Sequence, residues 1–200
     1  MNLEQPTIHL DKKGLRVLGI AESFYKEKGE KSVLAGVVMR ADKNIIDGFS
    51  FTKITVGGMD ATEGVLKIWE QLKRPDINAI LLNGCVIAMF NIIDLEEIWK
   101  KTERPIICVT YEESEGLDKY LEEFENAKER EEIYEKNGPR EKMVVHTGQE
   151  IYIRALGINN NQAVELLNKF IIQGSKAEPI RVARILAKEI LKFLHSSKKG

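Results

Sequence analysis

Hydrophobic positions near the start of the chain fall in short runs and alternations, and further on they recur in threes and fours. Residues 15–24 and 33–41 ("VLAGVVMRA") are apolar runs rich in Val, Ile and Leu with glycine at their edges, which predicts two strands. The connector "YKEKGEK" is short and polar, so the two are expected to form a hairpin. After another polar turn, "NIIDGFSFTKITV" alternates through Phe49 and Phe51, as a third antiparallel strand would. A helix start follows in "GGMDATEG": Asp60 reads as an N-cap with Glu63 three positions on, as in a capping box. Val65, Leu66, Ile68, Trp69 and Leu72 then keep helical spacing.

"INAILLNG" is a buried strand ending at Asn83-Gly84, and "CVIAMFNII" reads as a loop with a short helix. "DLEEIWKKT" is a helix capped by Asp94, with acids in its first turn, and "RPIICVTY" is a fifth strand. Residues 117–136 form one long charged helix with Leu121, Phe124, Ile133 and Tyr134 inward. "VVHTGQEIYIRALGI" is strand-rich, "NNNQAVELLNKFIIQG" is an Asn-capped helix ending at Gly174, and Pro179 opens a last helix. No repeat or low-complexity linker interrupts the order, which predicts one domain over residues 1–200. Three antiparallel strands, a helix, then strand–helix–strand in parallel is the element order of a ribonuclease H-like α/β domain, with a mixed sheet flanked by helices. There the first and fourth strands lie side by side and their ends meet at the active site.

Composition narrows the partners. Two hundred residues with 43% hydrophobic and 30% charged content can fill a core without staples. A formal charge of −1 supplies no global pull toward nucleic acid or membrane, so such a partner must meet a local patch. No apolar run approaches the roughly 18 residues of a membrane span, and no secretory signal pattern opens the chain, so a cytoplasmic location is expected. Cys85 and Cys108 each sit in an apolar run without CxxC or Cys/His spacing, the pattern of buried reduced thiols. His9, His146 and His195 have no metal spacing, and GxxxxGK[ST], GxGxxG and GxSxG are absent.

Two features carry candidate chemistry. In "LGIAESF" an apolar strand meets one acid, Glu22, which the expected topology brings near Asn83; Asp47, Asp60 and Asp94 lie at element ends. Two or three carboxylates there would hold Mg²⁺ or Mn²⁺ through oxygen, and two such ions about 4 Å apart can cleave a phosphodiester. Alternatively Asp60 and Asp94 are helix caps and Glu22 a strand-end solvent residue, the more economical reading of the pattern. The second feature is the last helix. Arg181, Arg184, Lys188 and Lys192 recur at threes and fours as one basic stripe, opposite Ala183, Leu186, Ala187, Ile190 and Leu194. The stripe is either a nucleic-acid phosphate site or a solvated helix face.

"KKGLRVLGI" at 12–20, "DGFSFTKITVGGMDAT" at 47–62, "FNIIDLEEIWKKTERPIICV" at 90–109 and "EPIRVARILAKEI" at 178–190 together resemble a largely archaeal family, domain of unknown function 99, related to endonuclease V. The resemblance implies a ribonuclease H-like fold. Endonuclease V enzymes cut a phosphodiester near deoxyinosine or inosine with Mg²⁺ held by carboxylates on the first and fourth strands and one near the third. Against that pattern, "GIAE" places Ala21 at the first acid position and leaves Glu22 at the second; "LLNG" offers the neutral Asn83; Lys53 falls near the third-strand acid. Asp60 and Asp94 are intact.

The expectation is therefore a nucleic-acid-interacting, endonuclease V-like protein (DNA or RNA) with impaired metal-dependent chemistry and only a weakly held Mg²⁺ or Mn²⁺. Arg181, Arg184 and Lys188 would position phosphates. The first alternative is an active phosphodiesterase using Glu22, Asp60 and Asp94 as carboxylates with Asn83 as a neutral partner. The second is a protein–protein module that kept only the fold. Exposure of the basic stripe beside Glu22 favours nucleic acid, and its burial favours the module.

Overall fold

The computed structural model describes residues 8–26, 30–113, 118–121 and 124–197. Strand β1 (Arg16–Ser23) pairs antiparallel with β2 (Lys31–Arg40), which pairs antiparallel with β3 (Ile45–Thr55). Helix α1 (Ala61–Leu72) leads back to β4 (Ala79–Asn83), parallel to β1, and α2 (Leu95–Thr102) leads to β7 (Ile106–Thr110), parallel to β4. Between β4 and α2 lies a two-stranded hairpin, β5 (Val86–Ile87) and β6 (Asn91–Ile92). After α3 (Asp118–Leu121) and α4 (Ala127–Lys136), strands β8 (Glu141–Val144) and β9 (Glu150–Leu156) extend the far edge antiparallel. Helices α5 (Asn160–Asn168) and α6 (Glu178–Ser196) close the chain. The sheet order β3-β2-β1-β4-β7-β9-β8 is that of a ribonuclease H-like mixed sheet lengthened by two strands.

Alternation along β1 decides which helix covers which face. Leu18 and Ile20 point with Leu34, Ile54 and Ile80 into the core beneath α1 and α2, joined by Val65, Ile68 and Ile98. Val17 points the other way, with Leu81, Ile107 and Ile153, into the core beneath α5 and the start of α6, joined by Leu167, Phe170 and Ile180. Helix α6 can approach so closely because β1 carries Gly19: a Cβ there would fall 2.4 Å from the backbone carbonyl carbon of Pro179. Further along, Ala183, Ala187 and Leu191 of α6 cover Ala21, Val33, Ala35 and Val37. Helix α6 lies over β1 and β2 and leaves the outer strand uncovered, so Phe49 and Phe51 are exposed despite their alternation.

Three expected elements differ. The "CVIAMFNII" stretch holds the β5–β6 hairpin rather than a helix, turned by Ala88, Met89 and Phe90 with φ of 41°, 57° and 63°. Three successive left-handed L-residues are strained and need outside support. Gly57 N–H donates to Ala88 O at 2.7 Å, and the Arg130 guanidinium donates to Phe90 O and to Gly57 O. The helix expected over 117–136 is two pieces, α3 and α4; Leu121 and Phe124 are buried as expected, but so is Arg130, at 1% exposure. Residues 117, 122 and 123 of that span lie outside the described residues. Helix α5 stops at Asn168, short of Gly174, and Ile171 instead bridges to Ala177.

Candidate nucleic-acid interface

The C-terminal ends of β1, β4 and β7 point to one edge of the molecule, where the candidate residues collect. β4 ends at Asn83, and Gly84 turns the chain with φ +83°, a conformation that favours glycine. Beyond it opens a cavity of about 420 Å³ bordered by Asn83, Cys85, Thr110 and Tyr111, with Arg140, Arg154, Lys176 and Arg184 around it and Glu112 and Glu113 on its rim. Four cations against two carboxylates make it a site for anions.

Three of the four cations, Arg140, Arg154 and Lys176, are held in place. Arg140 donates to Thr110 Oγ1 and Glu112 O, both at 3.1 Å, and lies 5.3 Å over the Tyr152 ring. Arg154, on β9 opposite Cys108, donates to Gly138 O at 2.7 Å and reaches Cys85 Sγ at 3.4 Å, with the Tyr134 ring beneath it. Lys176 Nζ sits 5.2 Å over Tyr111. The Tyr111 hydroxyl is buried without a hydrogen-bond partner, and burial pushes its pKa up, so the phenol stays protonated.

Arg184 also borders a second cavity, of about 400 Å³, formed by the end of β1 (Glu22 to Tyr25) and α6 residues Lys188, Leu191 and Lys192. Arg184, Lys188 and Lys192 are all exposed along it. Successive members are four residues apart, or about 6 Å along the helix. The stripe is thus exposed beside Glu22. Arg181 is not part of it: its guanidinium is forked onto Glu178, with Nε at 2.9 Å from both carboxylate oxygens. Its partner is the acid of the same helix turn, and Arg181 borders neither cavity.

The expected carboxylate cluster does not form. The parallel register pairs Ile20 with Leu82, so one step on it is Ala21, not Glu22, that lies beside Asn83. Ala21 packs with Val37 and Ala183, while Glu22, the next residue, borders the second cavity. Glu22 Oε2 is buried with no hydrogen-bond partner; burial raises its pKa, against the lowering effects of its own backbone N–H and of the Arg184 charge. Asp60 does not cap α1. Both its oxygens turn back to Thr55, accepting from the backbone N–H at 2.9 and 3.1 Å and from Oγ1 at 2.8 Å, and Asn91 Nδ2 donates to it at 2.7 Å. These bonds outweigh desolvation and lower its pKa. Asn91 caps the helix instead, its Oδ1 accepting from Ala61 N–H at 2.9 Å. Asp94 is a true cap of α2, accepting from Glu97 N–H at 3.0 Å and pairing with Lys136 at 2.7 Å. Asp47 is taken by Arg16 at 2.7 Å.

Among the described residues no three His, Cys, Asp or Glu side chains could hold a metal ion together. The residues present therefore do not fit the carboxylate-held Mg²⁺ that endonuclease V resemblance implies. Tyr111, Arg140, Arg154 and Lys176 were not singled out in the sequence, and Cys85 was read only as a buried thiol. Only the Thr110–Tyr111 end of the fifth strand carried a signal, since ligands gather where parallel strands end; the two arginines reach the cavity through β8 and β9.

A seven-stranded mixed sheet with β1 beside β4 and helices on both faces is the ribonuclease H-like fold shared with endonuclease V structures. Residues 13–191 match the model of the Endonuclease dU family, and the chain belongs to that family. A UPF0215 protein of Pyrobaculum calidifontis is 38% identical over 182 residues, covering 88% of this chain and 97% of its own. A crystal structure of a protein of unknown function from Archaeoglobus fulgidus is similar with TM-score 0.78 at 27% identity, over 88% of this chain and 98% of the other. The catalytic domain of human endonuclease V is similar at TM-score 0.64 and 14% identity, covering 97% of this chain and 91% of that one. Ciona intestinalis endonuclease V in complex with an inosine-containing DNA is similar at TM-score 0.62 and 15% identity, over 91% and 87%. These last two share the fold alone. No helix among the described residues is long and apolar enough to cross a membrane.

Proposed function

We propose that this protein binds nucleic acid along the Arg184–Lys188–Lys192 stripe and in the adjoining cavity, and that carboxylate-metal cleavage of the endonuclease V kind is impaired in it. The observation that carries the reading is the position of Arg184, exposed where the two cavities meet and in line with two lysines. Phosphates one helix turn apart can be met in succession there, with guanidinium forks supplying charge-assisted contacts. The cavity beyond suits one phosphate or a base held among Thr110, Tyr111 and Lys176. The family's name points to deoxyuridine, and the DNA-bound relative makes DNA a first probe. Impairment is supported by Ala21 beside Asn83 and by the bonded state of Asp60 and Asp94.

A second reading, an active Mg²⁺- or Mn²⁺-dependent phosphodiesterase, is favoured by one observation: Glu22 keeps a buried oxygen without a partner. Burial of the stripe would have favoured the protein–protein module; its exposure weighs against that. Fluorescein-labelled oligonucleotides carrying deoxyuridine, deoxyinosine or neither, with Mn²⁺ or with EDTA, separate the two. Salt-sensitive polarisation without cleavage, weakened by Arg184→Ala/Lys188→Ala, is expected. Cleavage abolished by Glu22→Gln would overturn the proposed impairment, and absence of binding would overturn the nucleic-acid reading itself.

A further inference from the structure

Cys85 and Cys108 are separated by about 80 Å of fully extended chain, yet the fold brings them into one buried cluster. Cys108 lies on β7 next to Leu82 of β4, and Cys85 follows the turn at Gly84 that ends β4. Arg154, paired with Cys108 across β7 and β9, reaches the Cys85 sulfur at 3.4 Å and so ties the two positions together. Both thiols are free, and both are buried in the packing beneath α1 and α2. Their surroundings differ. Cys85 borders the 420 Å³ cavity and has the Arg154 guanidinium at 3.4 Å, whereas Cys108 is enclosed and does not line the cavity. A cation beside one sulfur of a pair that shares a core cluster, on the side open to a polar cavity, is the arrangement of an attacking and a resolving thiol.

We propose that Cys85 and Cys108 form a peroxide-oxidisable dithiol, with Cys85 attacking and Cys108 resolving. The Cys85 thiolate attacks one oxygen of hydrogen peroxide, the O–O bond breaks and hydroxide leaves, giving the Cys85 sulfenic acid. The Cys108 thiol attacks that sulfur, the S–S bond forms, the S–O bond breaks, and the hydroxyl departs with the Cys108 proton as water. In sum, two thiols and one peroxide become one disulfide and two waters. The same contacts bias the ionisation. The Cys108 hydrogen bond, against the cost of burial and with help from Arg154 and Arg140, lowers the Cys85 pKa to about 7, while Cys108 is raised. At neutral pH this makes the Cys85 thiolate roughly fifteenfold more populated than at an ordinary cysteine of pKa about 8.5.

Closing the bond removes the thiolate that faces Arg154 and leaves the cavity more cationic. That consequence rests on the nucleic-acid reading above; the thiol chemistry does not. The experiment treats the full chain with hydrogen peroxide and follows intact mass, thiol count and oligonucleotide polarisation. The wild type is expected to lose two hydrogens and both thiols as an intramolecular disulfide, at a rate that rises with a midpoint near pH 7. Cys108→Ser is expected to stop at a dimedone-trappable sulfenic acid, and Cys85→Ser to leave Cys108 unreacted. Two thiols persisting in folded wild type, or sulfenic acid forming equally in both variants, overturns the proposal. A disulfide that forms with no change in oligonucleotide binding upholds the thiol pair and counts against nucleic-acid use of the cavity.

Discussion

Asp60 offers the sharpest test of whether this site keeps its acids for structure. Its carboxylate receives the Thr55 backbone N–H, the Thr55 hydroxyl and one hydrogen of the Asn91 amide, and Asn91 is fully buried. Truncation in Asp60→Ala strands the Thr55 N–H and one Asn91 hydrogen; the hydroxyl can turn to other acceptors. A buried donor left unmade costs about 1–3 kcal/mol, so the two together predict a loss of about 4 kcal/mol. The Asn91 side chain also donates to Thr55 O and accepts from Ala61 N–H, so its displacement loosens the start of α1 as well. Asp94→Ala, by contrast, removes one cap bond and a half-exposed ion pair, and a lost cap costs about 1 kcal/mol. Urea unfolding separates them: with a slope of about 2 kcal/mol per molar, the Asp60 variant should shift its midpoint by about 2 M and the Asp94 variant by about a quarter of that. Asp60→Asn, which keeps one acceptor but aims an amine at the Thr55 donors, should fall between wild type and Asp60→Ala. An Asp60→Asn protein as stable as wild type that had lost a Mn²⁺-dependent activity would refute the structural assignment and return Asp60 to a metal site.

Three further outcomes follow from the same geometry. Burial raises the folded-state pKa of Glu22, so the stability tied to its protonated form is complete below its ordinary 4.5 and lost as pH rises through the folded value; Glu22→Gln should flatten the dependence of melting temperature on pH, and a lower melting temperature for that variant at pH 8 would contradict it. Removing both Arg184 and Lys188 should lessen the slope of log K against log salt by about 1.4 for a single strand or about 1.8 for a duplex, read from polarisation titrations; an unchanged slope means neither touches phosphate. Gly19→Ala would put a methyl carbon 2.4 Å from the Pro179 backbone, and overpacking of this kind costs about 1–3 kcal/mol, visible as a lower urea midpoint and weaker oligonucleotide binding through displaced α6.

The first four strands and α1 were legible because each is a run or alternation bounded by polar turns, and one face of the sheet is always buried. The 86–92 hairpin was not, because its turn uses three L-residues in the left-handed region; no residue type announces such a turn, and the Arg130 that supports it comes from forty positions away. Arg130 also explains the misjudged charged helix: in "EEFENAKEREEIYEK" its burial is set by carbonyl acceptors on another loop, not by periodicity. For the acids, helix capping and metal binding ask for the same residue type in the same place, so Asp60 and Asp94 looked alike in sequence. Only the structure showed one turned back to Thr55 and the other facing its helix. The sequence reading set Glu22 near Asn83, whereas the register sets Ala21 there, one residue earlier.

The contact between Gly19 and Pro179 sets a schedule for the molecule's birth. β1 leaves the ribosome well before the helix that covers it, so one face of the central strand must wait, uncovered, while the elements between them are made. Arg184 travels with that late helix, and the cationic edge comes into being only after the rest of the sheet is laid down.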